Sequence, residues 1–436
     1  MTSYSRVNSR RGNRRIVFVA LATTLALFVT GCSSGEAASS DTPDDGTELT
    51  LWVRSATDDF SNGLADAYNK THKNQVKVTV IPNDNYLQKI GAAAGANSLP
   101  DLLASDVVYT PEYVHNGLFQ DITDKVNALD FADDLAQAHI KAASQDGKIY
   151  AVPHKLDSSF IFYNKDLFTA AGLDPEAPPT NFDELYEQAK AVRGLGGDTY
   201  GFYFAGSCGG CGVYSLFPYA AAAGHEALTD GGKTADVDND AFADVFELYK
   251  KLYDEDIVPS SAKSDDGTTW DTLFREGKIG IMPNGSFLFP SFKDLPFEWG
   301  VAPLMAPDGS GTSTFVGGDT VGISKSSKHS AQAWDFIEWT LSDEAQVEVI
   351  AKSGDLPART DLADNKYSAQ DPRIVATIEG LVNGYTPATL PFGDIFNNPN
   401  GVWVETLRAA IFGTSDVDTA LANGQKKIQA IIDDAY

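Results

Sequence analysis

Alternating apolar and polar positions mark Leu49-Thr50-Leu51-Trp52-Val53 as a strand. Behind it, Phe60, Leu64 and Tyr68 recur four residues apart, the spacing of one helix face. The pair then repeats. Val76-Lys77-Val78-Thr79-Val80-Ile81 predicts a second strand, and Tyr86, Leu87 and Ile90 predict the helix after it. Leu102-Leu103-Ala104 predicts a short third strand, with Pro111 placed to open a further helix. This alternating order implies parallel strands with right-handed crossovers. In such sheets ligands sit outside the carboxyl ends of the strands, which here release residues 54–58, 82–85 and 106–110.

A second region of the same kind follows. Strands are expected at 149–153 and 160–163, and a helix starts near Thr180 and Asp183 with Leu185, Ala189 and Val192 on one face. Phe242, Phe246, Tyr249 and Tyr253 repeat at helical spacing, and Lys278-Ile279-Gly280-Ile281-Met282 reads as a strand running into a turn at Pro283-Asn284-Gly285. Later, Thr320-Val321-Gly322-Ile323 precedes a helix carrying Ala333, Phe336 and Ile337, and Ser342 is placed to cap the next one.

The chain begins differently. Arginines run up to Arg14-Arg15, an apolar stretch follows to Val29, and Val29-Thr30-Gly31-Cys32 resembles a bacterial lipobox, whose cysteine is lipidated after cleavage. The stretch is short of the about 20 apolar residues a spanning helix needs. The segment after it is rich in Ser, Asp, Gly and Ala and reads as a tether. An exported protein held at the outer face of the cytoplasmic membrane is expected. The arginine pairs leave the export route open between the general and twin-arginine paths.

Composition sharpens this. Charged residues make up 21% and hydrophobic ones 43% of 436, the balance of a folded globular protein of about two domains. The formal charge of −27 rests on 33 bases against 60 acids, and five of those bases lie in the first fifteen positions. Such an acidic body repels phosphate backbones, so no nucleic-acid partner is expected. Three cysteines exclude a disulfide-built scaffold. The G-x-S-x-G spacing occurs once, at Gly31-Cys32-Ser33-Ser34-Gly35 within the lipobox segment; no H-E-x-x-H or P-loop motif occurs, no calcium loop is complete, and no metal or cofactor is expected.

The order of several short motifs resembles the extracellular solute-binding proteins that serve ATP-driven (ABC) importers, in the sugar-binding branch. They are Gly147-Lys148-Ile149-Tyr150-Ala151-Val152-Pro153, Phe162-Tyr163-Asn164-Lys165-Asp166-Leu167-Phe168, Gly277-Lys278-Ile279-Gly280-Ile281-Met282, Asn284-Gly285-Ser286, Gly317-Gly318, and Gly354-Asp355-Leu356-Pro357-Ala358-Arg359. The resemblance implies an α/β fold of two lobes, each a mostly parallel sheet flanked by helices, hinged by crossing segments near 153–157, 302–313 and 354–359. The divisions are then 1–31 signal peptide, 32–48 tether, 49–154 with 313–355 as lobe 1, and 155–312 with 356–436 as lobe 2. It also implies a monomer that captures a mono- or oligosaccharide between the lobes, without chemistry, and hands it to membrane permease subunits. A binder of a polyol or an amine, and an extracellular glycosidase, are the alternatives.

Sugar sites combine carboxylates and amides with aromatic platforms. The candidates are Asp106 and Tyr109 past the third strand, Asp157 and His154 on the first crossing, and Asn284 with Phe287 at the later turn. Gly318 and Asp319 at the lobe boundary, Trp52 on the first strand, and Trp270 complete the set. Each has a structural alternative: a cap for Asp106, a salt bridge with Lys155 for Asp157, core packing for the aromatics and His154. Arg359 reads as a hinge brace. Cys208-Gly209-Gly210-Cys211 lacks a helix-forming sequence behind it and reads as a local disulfide, with redox activity as the other possibility.

Overall fold

The computed structural model describes residues 44–436. The expected signal peptide, Cys32 and most of the expected tether lie outside the described residues. Its last positions are held. The backbone N–H groups of Asp45, Gly46 and Thr47 all donate to Asn74 Oδ1 at 3.1–3.2 Å, so the chain is fixed to the body before the expected boundary at 48.

Strands β1 (Glu48–Arg54), β2 (Gln75–Ile81) and β3 (Leu102–Asp106) pair in parallel in the order β2-β1-β3. Helices α1 (Asp58–Thr71) and α2 (Asn83–Gly95) are the crossovers, and α3 (Thr110–His115) opens with Pro111 in its first turn. Leu49, Leu51 and Val53 bury one sheet face with Tyr68, Phe336 and Ile337. The other face packs Ile81, Tyr86, Ile90 and Leu103. Leu87, expected on the apolar side of α2, is exposed, one 100° step away from Tyr86. A slip of one residue would turn β1 inside out, and burial worth about 2 kcal/mol per side chain holds it in register.

The second region differs from expectation in strand length. The strands expected at 149–153 and 160–163 are largely one, β4 (Val152–Asn164). Next come α4 (Phe182–Arg193), β5 (Tyr200–Phe202), α5 (Gly209–Ala222) and α6 (Asp240–Asp254). The expected turn at Pro283-Asn284-Gly285 is instead the end of β6 (Ile279–Gly285). β7 (Trp299–Ala302) follows, and β8 (Thr312–Ile323) extends the expected strand backwards by eight residues.

The main sheet runs β2-β1-β3-β8-β4-β6-β5, with β7 against β4. Parallel pairing holds among β1, β2 and β3 and between β5 and β6, whereas β3–β8, β8–β4 and β4–β6 are antiparallel. The sheet is therefore mixed, because the two long strands β4 and β8 traverse it in opposite directions. Beyond them lies a separate aromatic core with Phe162, Phe202, Phe217, Phe242, Phe246 and Trp403.

Where the crossings meet, Leu156, Val316, Leu356 and Ile378 form a small core of their own. Leu156 and Leu356 bridge as an antiparallel pair, so the first and third expected crossings run together here, with Val316 of β8 packed beside them. Arg359 braces this region, paired to Asp343 at 2.7 Å and Asp361, with its guanidinium 3.8 Å over the Phe131 ring.

Candidate functional site

The ends of β1 and β3 and the middle of β8 converge. Because Leu51 and Val53 face the core, Arg54 projects from the strand end beside Asp106 and Asp319, which stand opposite each other in the β3–β8 register. Arg54 Nε donates to Asp319 at 2.7 Å, and Nη1 pairs with Asp106 at 2.9 Å. Thr57 Oγ1 donates to the other Asp319 oxygen at 3.2 Å. The Asp319 side chain is 0% exposed, and a carboxylate there needs these partners to remain charged. Burial opposes the Arg54 charge, but Asp106 and Asp319 outweigh it and raise its pKa, so the guanidinium stays protonated.

Asp106 is more open, at 26%. Its Oδ1 accepts from the Val108 N–H at 3.3 Å, the capping role foreseen as its alternative. Burial pushes its pKa up to about 6, with Arg54 opposing and Asp319 adding to the rise.

Asp157 lies on β4, opposite Gly317 of β8. The salt bridge with Lys155 expected as its alternative does not form: Lys155 bonds Asp355 at 2.9 Å, while Tyr214 on α5 donates to Asp157 Oδ1 at 2.6 Å. Burial raises the Asp157 pKa, with Tyr214, Arg54 and Lys155 opposing. Two glycines make room. Gly318 has φ +100° where β8 bulges, and a Cβ there would overlap the Lys155 carbonyl oxygen. A Cβ on Gly317 would collide with Asp157 Oδ1.

Aromatics flank this carboxylate. The Tyr214 ring stands 4.9 Å from Phe315 and 6.2 Å from Phe287. Phe287 is 52% exposed, unusual for so large an apolar ring. Tyr109, three residues past Asp106, packs between the core of the first sheet and the aromatic core, and Asn397 Nδ2 donates to its hydroxyl at 2.9 Å.

The structure thus gathers Asp106, Asp157, Asp319 and Gly318, with Tyr109 and Phe287 at the margins. It does not bring the other candidates there. Asp319 is enclosed by Arg54 and Thr57 and positions them instead of presenting a free acceptor. His154 is buried with Nε2 2.9 Å from Ser61 Oγ and its ring edge-on to Phe60. Asn284 is buried within β6, its Oδ1 accepting from the Gly285 N–H. Trp52 lies over the core beneath α2 with the Lys89 ammonium 4.7 Å above its ring, and Trp270 is buried in the aromatic core. Gly318 serves by backbone approach alone.

Arg54, Thr57, Tyr214 and Asn397 carry contacts that the sequence reading gave no role. Arg54 and Thr57 lie on a segment leaving a strand's carboxyl end, which is a usable signal. Nothing local marks Tyr214 or Asn397. The sulfurs of Cys208 and Cys211 are bonded, but a 14-residue helix, not expected from the sequence, starts inside the motif at Gly209. Its glycines serve close packing, which overrides their poor helix propensity.

The sequence matches the family described as bacterial extracellular solute-binding protein over residues 63–376. It is 25% identical over 414 residues to a maltooligosaccharide ABC transporter solute-binding lipoprotein of Streptococcus pneumoniae, covering 91% of this chain and 92% of that one. It is 24% identical over 358 residues to a galactooligosaccharide-binding protein of Bacillus subtilis, covering 79% and 80%. The fold is similar to that of a cyclic alpha-maltosyl-1,6-maltose binding protein from Arthrobacter globiformis, with TM-score 0.77, 24% identity and coverage of 89% and 99%. With its strands, crossings and motif order in agreement, the chain belongs to the bacterial extracellular solute-binding protein family.

Proposed function

We propose that this protein captures a sugar, an oligosaccharide foremost, in a cleft between two lobes, 49–154 with 313–355 and 155–312 with 356–436, and delivers it unaltered to the permease of an ABC importer. One observation carries the reading. Half-open Asp106 pairs with Arg54, and half-open Asp157 accepts from Tyr214, whose ring stands 6.2 Å from the exposed Phe287 ring, so hydroxyl acceptors and an apolar platform stand together. The names of the Streptococcus and Bacillus relatives support the same ligand class. Export and anchoring through a lipidated Cys32 would place this site outside the membrane, next to the permease.

Calorimetry of the pure protein against maltotriose, a galactooligosaccharide, a polyol and an amine tests this. Saturable heat with an oligosaccharide that is recovered intact is the expected result. Heat with the polyol or amine alone would reassign the ligand class, and new reducing ends would make the protein a glycosidase.

A further inference from the structure

The start of α5 reaches the candidate cleft in two places. Cys208 caps this helix, accepting the Cys211 N–H on its sulfur at 3.1 Å, and is bonded to Cys211 itself. The surrounding chain fits tightly: a Cβ on Gly210 would stand 2.8 Å from Asn397 Oδ1, and one on Gly267 would stand 2.8 Å from Cys211 Sγ. Asn397, backed by Gly210, donates to the Tyr109 hydroxyl at 2.9 Å, and Tyr109 is anchored among the elements after β3. Three residues past Cys211, Tyr214 donates to Asp157 at 2.6 Å. One short disulfide ring therefore stands behind two polar contacts at the cleft.

We infer that the Cys208–Cys211 bridge is a positioning element for ligand capture. It fixes the first turn of α5 so that Tyr214 meets Asp157 and Asn397 meets Tyr109. Opening it restores freedom to Gly209 and Gly210 and releases the Cys208 sulfur from the ring that holds it at the capping position. Both contacts then loosen, while the cores stay folded. This rests on the cleft reading above.

A dithiol reductant opens the bridge by attack of one thiolate on a sulfur, release of the other sulfur as thiolate, and closure of the reductant's own disulfide. The protein gains two electrons and two protons, and the reductant loses them.

Hydrogen exchange of the intact protein, without ligand, tests the inference in three forms: oxidised, reduced with dithiothreitol, and Cys208→Ser/Cys211→Ser. Amides of 209–216 and 393–397 should exchange at least tenfold faster in the last two, with β1 to β3 unchanged. With maltotriose as probe, affinity should fall about tenfold on reduction, and Asn397→Ala should reproduce part of that loss in the oxidised protein. Acceleration confined to 209–216 would overturn the inference, as would loss of protection throughout the fold. Coupled loosening in a protein that binds no maltotriose in either form would uphold the positioning role and remove maltotriose as a ligand.

Discussion

Two carboxylates, Asp106 and Asp157, stay partly open to water, while Asp319 is closed in by Arg54 and Thr57. That division separates the proposed ligand contacts from the internally paired carboxylate. Asp106→Ala and Asp157→Ala should each weaken sugar binding by about 1–3 kcal/mol by calorimetry, the worth of hydrogen bonds in a dry cleft. Arg54→Leu should cost stability of about 3–5 kcal/mol in denaturant titration, because it strands the buried Asp319 charge. Acid should act through two buried histidines. Burial lowers the pKa of His139, bonded to the Gly317 carbonyl at 3.0 Å, and of His154 to about 4, against an ordinary 6.5. The unfolded chain takes up their protons first, so their stability is full above pH 6.5 and is lost as pH falls towards 4, on the order of 3 kcal/mol each. Asp106 works the other way: with its pKa raised to about 6, the folded state gains stability as pH drops from there to the ordinary 3.8. Unfolding midpoints measured at pH 7, 5.5 and 4.5 should decline, and more steeply in Asp106→Asn.

At the scale of elements, the adjacent glycines of β8 do different work. Gly318→Ala puts a Cβ into the Lys155 backbone at positive φ, which has no escape, and should lower stability by about 2 kcal/mol or more. Gly317→Ala meets the side chains of Asp157, Phe315 and Tyr214 and no backbone, so its loss of thermal stability should be smaller than that of Gly318→Ala while ligand affinity falls. Equal stability losses in both variants would contradict this separation. The helices and β1 were legible because each buries one face more deeply, which leaves a period in the sequence: Phe60, Leu64 and Tyr68 are all buried as expected, while β3, buried on both faces, was legible only as the short apolar run Leu102-Leu103-Ala104. The long strands β4 and β8 were not legible at full length. Buried along nearly their whole course, they show no alternation, and residues such as Ser158, Ser159 and Thr314 look like loop residues until their partners are known.

For the whole molecule, the apolar cores on either side of the paired long strands and the small core at the crossings supply the parts of a hinge. Closure around ligand is the expected motion. Solution scattering should give a smaller radius of gyration with saturating oligosaccharide than without it. An unchanged profile in a protein that binds the sugar would remove hinge closure from the account. Tyr109→Phe, which deletes the Asn397 contact, should weaken binding and leave the unliganded melting temperature nearly unchanged.

The sequence alone determined the α/β class, the parallel β1 to β3 unit and the solute-binding family, because periodicity and motif order are local or linear properties, and it pointed to strand ends for the candidate site. Asp106 and Asp157 were legible as candidates on the same ground. Only the tertiary structure decided that Asp319 is a buried partner of Arg54, that His154 bonds Ser61, that Asn284 and Trp270 are buried, and that Tyr214 holds Asp157. Those outcomes depend on which residues meet across 57 positions of chain in one case and 265 in another, and no local pattern encodes such a meeting.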